Sequence, residues 1–131
     1  MAHAKKAEPF QAVNSPNALK GFFGIMAKWG VDNGTARVLI GNPAERTFFE
    51  WKKGNAERLS DDTYRRIGYI AGIFKALELG YSNPALADGW VKRPNRFFGG
   101  QTPLQRMAAG DIADLVAVRG YVDAVIRAPW S

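Results

Sequence analysis

The sequence predicts an all-α protein: an N-terminal helix-turn-helix lobe joined by a long central helix to a small C-terminal helical lobe. Three observations predict it. Apolar residues recur at spacings of three and four through most of the 131 residues, and no stretch sustains the two-residue alternation of a half-buried strand. A capping residue followed by proline, the signal for a helix start, occurs at Ser15-Pro16, Asn83-Pro84 and Thr102-Pro103. The run from Tyr64 to Leu79 is apolar on more than one side, as a helix packed from several directions is. These signals divide the chain into a tail at residues 1–15, a helix-turn-helix at 16–58, a connecting helix at 59–81 and a C-terminal unit at 82–131.

Residues 1–15 show no periodicity. From Ser15, Leu19, Phe22, Phe23, Met26 and Ala27 define one helical face, closed by Trp29 and Gly30. Asp32 is placed to cap a short second helix through Ile40, stopped by Gly41, and Asn42-Pro43 to start a third that ends near Gly54. Two short helices around a tight glycine turn outline a helix-turn-helix. At about 100° per residue, Ala44, Thr47, Phe48 and Trp51 fall on one side of the third helix, facing inward. Arg46, Phe49, Glu50 and Lys53 fall on the other, with Lys52 at the margin.

Ser60 caps the central helix, with Asp61 and Asp62 in its first turn, where carboxylates meet the positive end of the helix dipole. Ile67, Ile70, Ala71, Phe74 and Leu77 form its core stripe, widened by Tyr69, Ile73 and Ala76, and Gly80 ends it. A short helix follows from Asn83 to Pro94, another from Thr102 to Ala109, and a last one from Asp111 to Pro129. This last helix carries Ile112, Leu115, Val116, Val122 and Ile126 on one side. Between Trp90 and Gly110, large apolar residues alternate with Pro94, Gly99, Gly100 and Pro103. The pattern describes a structural corner that buries Trp90 and one of Phe97 and Phe98.

Composition limits the chemistry. The net charge is +6 and the pI near 9.8, which favours polyanionic partners, nucleic acid first. Residues 1–60 hold nine Lys/Arg against five acids, and residues 61–131 nine against seven, so the excess leans toward the N-terminal half. There is no cysteine, which removes disulfides and thiolate chemistry and is compatible with a reducing cytosol. The start, MAHAKKAEPFQ, has lysines but no apolar core of a secretory signal, and no run is long enough to span a bilayer. The single histidine, His3, has no neighbouring ligands, so no metal site, cofactor or histidine base is expected. No phosphate-binding loop or nucleophile elbow occurs. The residues point away from an enzyme and toward recognition.

Three blocks in order carry a resemblance. They are a degenerate helix-turn-helix ending in Glu50-Trp51-Lys52, a strut with Leu59-Ser60 and Arg66-Ile67, and a C-terminal block. That block holds Trp90, Pro94-Asn95, Phe98, Gly100, Pro103-Leu104, Met107 and Gly110. The chain resembles the Xre/MbcA/ParS antitoxins of bacterial type II toxin–antitoxin systems, and most closely the Xre-like antitoxins paired with RES-domain toxins. The resemblance runs from about Leu19 to Trp130, and its C-terminal block is the most specific part.

The resemblance implies a cytoplasmic, non-catalytic bacterial protein that binds and neutralises a NAD-consuming RES-type toxin through its C-terminal unit. It also implies a homodimer, and a helix-turn-helix able to bind the operator DNA of its own operon. On that reading Asn42, Arg46, Thr47, Lys52 and Lys53 are the DNA-binding candidates, with Arg46 best placed for a base edge and the lysines for phosphate. Phe97, Arg127, Pro129, Trp130 and Ser131 are the toxin-binding candidates. The terminal carboxylate is a phosphate mimic, and Trp130 an anchor of the kind favoured at interface hot spots. Glu45, Phe49 and Glu50 depart from a basic recognition surface. The competing reading is a stand-alone helix-turn-helix regulator whose C-terminal unit only dimerises.

Overall fold

The computed structural model describes residues 15–127. Within them, seven α-helices follow one another: α1 (Ser15–Trp29), α2 (Asn33–Leu39), α3 (Glu45–Lys52), α4 (Asp61–Gly80), α5 (Pro84–Gly89), α6 (Pro103–Met107) and α7 (Ile112–Tyr121). Two 3-10 turns, Trp90–Lys92 and Arg96–Phe98, lie between α5 and α6, and a π-helical segment, Val122–Arg127, continues α7. The fold is all-helical, with no strand among the described residues.

Local capping explains most boundaries. Asp32 accepts a hydrogen bond from the Thr35 amide at 2.7 Å, Ser60 from the Thr63 amide at 3.1 Å and Asn83 from the Ala85 amide at 2.8 Å. Each pairs a helix-start N–H that has no partner within the helix. Thr102 and Gln105 form a reciprocal capping box, as do Asp111 and Asp114. The α6–α7 turn is further closed by Arg106 Nε donating to Asp114 Oδ1 at 2.9 Å.

Several boundaries differ from the sequence expectation. Ser15 is already helical, and its hydroxyl pairs with the Tyr64 phenol at 2.9 Å. The third helix starts at Glu45, not at Pro43: Asn42 adopts φ 56° and Ala44 is the extended N-cap. The longer turn is held by the Asn42 amide donating to Arg37 O and by Arg37 Nε donating to Pro43 O. The helix from Asn83 tightens to 3-10 geometry at Trp90, and the last helix changes to π geometry at Val122. Its expected stop at Pro129 lies outside the described residues.

A single core of buried residues runs from α1 to Val122. Helix α4 packs against α1, α5, α7 and the π-helical segment, which explains why Ile67, Ile70, Ile73, Ala76 and Leu77 are all buried on it. Phe22, Met26 and Trp29 of α1, Leu39 and Ile40 after α2, and Phe48 of α3 fill the N-terminal part, where Phe48 meets Phe23 edge to face. Trp90, Val91, Phe98, Met107, Leu115 and Val118 fill the C-terminal part. Five inward assignments are overturned, the first being Ala27, which is exposed on α1. Ala71 is exposed on the open side of α4; Val116 is exposed while Val118 is buried in its place; and Ala44 and Thr47 face solvent while Phe48, with Trp51 partly buried beside it, packs under α3.

Candidate functional site

The stretch after α5 builds the most distinctive surface of the chain. Asn95 organises it: its side chain accepts from the Phe97 amide at 2.8 Å, its carbonyl from the Phe98 amide at 3.0 Å, and its amide donates to Gln101 O at 3.0 Å. Gly99 and Gly100, at φ 68° and 89°, supply the left-handed backbone that reverses the chain here. The turn gives two adjacent phenylalanines opposite fates. Phe98 is 5% exposed and Phe97 is 64% exposed.

Tyr121, the last residue of α7, is the platform for both. Its ring stacks on Trp90 at 6.0 Å with an 18° interplanar angle, lies 4.7 Å from the Phe97 centroid and 5.5 Å from that of Phe98. The result is a supported aromatic knob: Phe97 is held in place yet open to solvent. Such pre-ordered aromatic surface costs little entropy on binding a partner. Around it, Arg93 lies over the Tyr81 ring at 5.9 Å and donates to Leu86 O at 2.9 Å, and Arg96 is exposed. Tyr121 escaped the sequence reading. An aromatic at the end of the last helix, three residues after buried Val118, was the available signal.

The remaining toxin-binding candidates fall at or past the end of what is described. Arg127 closes the π-helical segment six residues after Tyr121, and Pro129, Trp130 and Ser131 lie outside the described residues. Phe97 and the chain leading to Arg127 thus share one end of α7.

The DNA-binding candidates Asn42, Arg46, Thr47, Lys52 and Lys53, on α3 and its flanks, are all at exposed positions. Asn42, Arg46 and Thr47 gather at the start of α3. Lys52 and Lys53 are at its other end and are engaged internally: Lys52 Nζ donates to Asn33 Oδ1 at 2.7 Å and Lys53 Nζ to Glu50 Oε2 at 3.1 Å. Asn55 and Lys53 together hold the Glu50 carboxyl below its ordinary pKa, so a fixed negative charge stands on the outward face of α3. Arg46 forms no hydrogen bond or ion pair among the described residues. Those residues contain no cluster of three or more His, Asp or Glu able to hold a metal ion, and no described helix is long and apolar enough to cross a membrane.

Comparison with known proteins agrees with the aromatic corner. Residues 76–125 match the family model for the antitoxin Xre/MbcA/ParS C-terminal toxin-binding domain. That span begins inside α4 and contains Trp90, Phe97, Phe98 and Tyr121. The chain is also 38% identical over 109 residues to the uncharacterized protein y4oB of Sinorhizobium fredii (strain NBRC 101917 / NGR234), across 83% of this chain and 84% of that protein. No solved structure matches it. The chain belongs to the Xre/MbcA/ParS antitoxin family, whose C-terminal toxin-binding domain its residues 76–125 match.

Proposed function

We propose that the protein neutralises a RES-type, NAD-consuming toxin by covering its active site, acting as a cytoplasmic homodimer. The observation that carries this reading is Phe97, an aromatic ring 64% exposed and braced by Tyr121 within the matched toxin-binding span. Phe97 anchors the toxin, and Arg127, Pro129, Trp130 and Ser131 extend the contact into the toxin's NAD cleft. There the terminal carboxylate takes the place of a phosphate opposite cationic side chains.

Co-expression with a RES-type toxin, if the neighbouring gene encodes one, tests the partner: the two chains should co-purify, and the toxin's NAD loss should stop. Deleting residues 128–131 should restore NAD loss while leaving the helical circular dichroism unchanged. Full inhibition by the truncated chain would reject the tail mechanism, and failure to co-purify would reject the RES partner.

The helix-turn-helix adds a second role, repression of the antitoxin's own operon. The exposed group at the start of α3 supports it: Asn42, Arg46 and Thr47 contact base edges while Lys52 and Lys53 meet phosphate. A gel shift on upstream DNA, with and without toxin, should give a retarded band. Lys52→Ala should lower the slope of log affinity against log salt by about 1. Absence of a band at low salt, with toxin present, would reject autoregulation.

A further inference from the structure

Away from the aromatic corner and from α3, the open side of α4 carries two adjoining cavities that neither role uses. One, of about 430 Å³, is lined by Arg65, Gly68, Tyr69 and Arg119. The other, of about 290 Å³, shares Gly68 and lies between α1 and α4 over an almost wholly apolar lining that includes Phe22, Ile25 and Ala71. Together they have the size range of sites for small organic molecules. Their chemistry is divided: cationic at one end and greasy at the other.

The two arginines are set for an anion. Arg65 is exposed and forms no ion pair or hydrogen bond among the described residues. Arg119 reaches from α7 across α4, where a Cβ at Gly72 would overlap its guanidinium. Its Nε donates to Asp123 Oδ2 at 3.0 Å, which orients the group, while its terminal nitrogens carry no hydrogen bond among the described residues. Asp123 does not line the arginine cavity; it lines a smaller one beyond Arg119, with Lys75. The lining of the arginine cavity thus carries two guanidinium groups and no carboxylate, with Asp123 paired to Arg119 from the far side. A planar guanidinium with free N–H groups takes an oxyanion in a paired, charge-assisted geometry.

We propose that this double cavity binds a small amphiphilic oxyanion, its carboxylate or phosphate between Arg65 and Arg119 and its apolar body in the groove between α1 and α4. Because the site bridges α1, α4 and α7, such a ligand would tie the N-terminal helices to the toxin-binding domain.

Titration of the full chain with octanoate, octyl phosphate, 1-octanol and inorganic phosphate, followed by NMR, tests this. Octanoate or octyl phosphate should shift the Arg65 and Arg119 Nε–Hε signals together with the Gly68 and Ala71 amides. The neutral alcohol and bare phosphate should bind at least roughly tenfold more weakly, since each makes half of the contacts. A preference for octyl phosphate assigns a phosphate ester and one for octanoate a carboxylic acid; either supports the site. Arg65→Ala, at an exposed position, should weaken both probes by roughly tenfold, and Ala71→Phe should block the body without touching the arginines. Octanol binding as tightly as the oxyanions, phosphate binding as tightly as the alkyl probes, or shifts unchanged by Arg65→Ala would overturn the proposal.

Discussion

The rings of Phe97 and Phe98 stand 5.1 Å apart at 88°, consecutive in the chain and opposite in exposure. One holds the corner together and the other faces outward, so their substitutions should separate stability from binding. Phe98→Ala removes a buried ring and should cost about 3–5 kcal/mol of stability, read from the urea midpoint. Phe97→Ala should change stability by less than about 1 kcal/mol. It should weaken the antitoxin–toxin complex by about 2 kcal/mol, a roughly thirtyfold rise in Kd measurable by calorimetry.

Glycines on two helices should respond to alanine with opposite signs. A Cβ on Gly24, in the middle of α1, meets nothing within 4 Å. Gly24→Ala should therefore stabilise by roughly 0.5–1 kcal/mol through helix propensity alone. At Gly80 the added Cβ would lie 2.7 Å from Ile126 Cγ2 and 2.8 Å from the Ile126 carbonyl oxygen. Backbone cannot swing aside as a side chain does, so Gly80→Ala should destabilise by about 1–3 kcal/mol. Thermal denaturation of the pair checks both.

Glu78 should make stability fall with rising pH. Its carboxyl is pushed above the ordinary range by burial and by the neighbouring Asp88 carboxyl, with Lys28 partly opposing. Glu78 Oε2 and Asp88 Oδ1 are buried without a hydrogen-bond partner among the described residues. Between the ordinary and the raised value, the folded chain retains more of this proton than the unfolded chain does. The folded state is thus favoured most below the ordinary glutamate pKa and loses that advantage as pH rises through the raised value. Glu78→Gln keeps a donor toward Asp88 without the charge. It should raise the melting temperature at pH 7 and leave it little changed near pH 4.

The capping boxes offer a smaller, local effect. Thr102→Ala removes the acceptor for the Gln105 amide and should cost about 1 kcal/mol. Thr102→Ser, which retains the hydroxyl, should restore most of it in the same chemical denaturation series.

Signals confined to one turn were legible in the sequence. Asp32, Ser60, Asn83, Thr102 and Asp111 all cap where their side-chain chemistry placed them, because a cap depends only on the next two or three residues. Helix identity and the burial of Trp90 and Met107 followed from spacing. What escaped depends on neighbours distant in the chain. The left-handed turn at Asn42 is stabilised by Arg37. Which phenylalanine is buried is set by how the Asn95 turn sits on α7, and Ala71 is exposed in a groove between α1 and α4. The outward positions of Arg46 and Lys53 on the third helix followed from its 100° period, whereas the exposure of Thr47 and of Phe97 did not. The pairing of Arg65 with Arg119 was not, since it needs α7 folded back over α4.

Lys92 Nζ donates to the Gly30 carbonyl at 2.6 Å, across 62 positions of sequence. The C-terminal end of α1 is therefore finished by a residue of the toxin-binding domain. Excising the N-terminal helices as a separate fragment would open that helix end and uncover Trp29, whose ring packs beside Phe74 of α4. The N-terminal helices and the C-terminal unit share one mechanical frame, and a truncation that removed either would perturb the other.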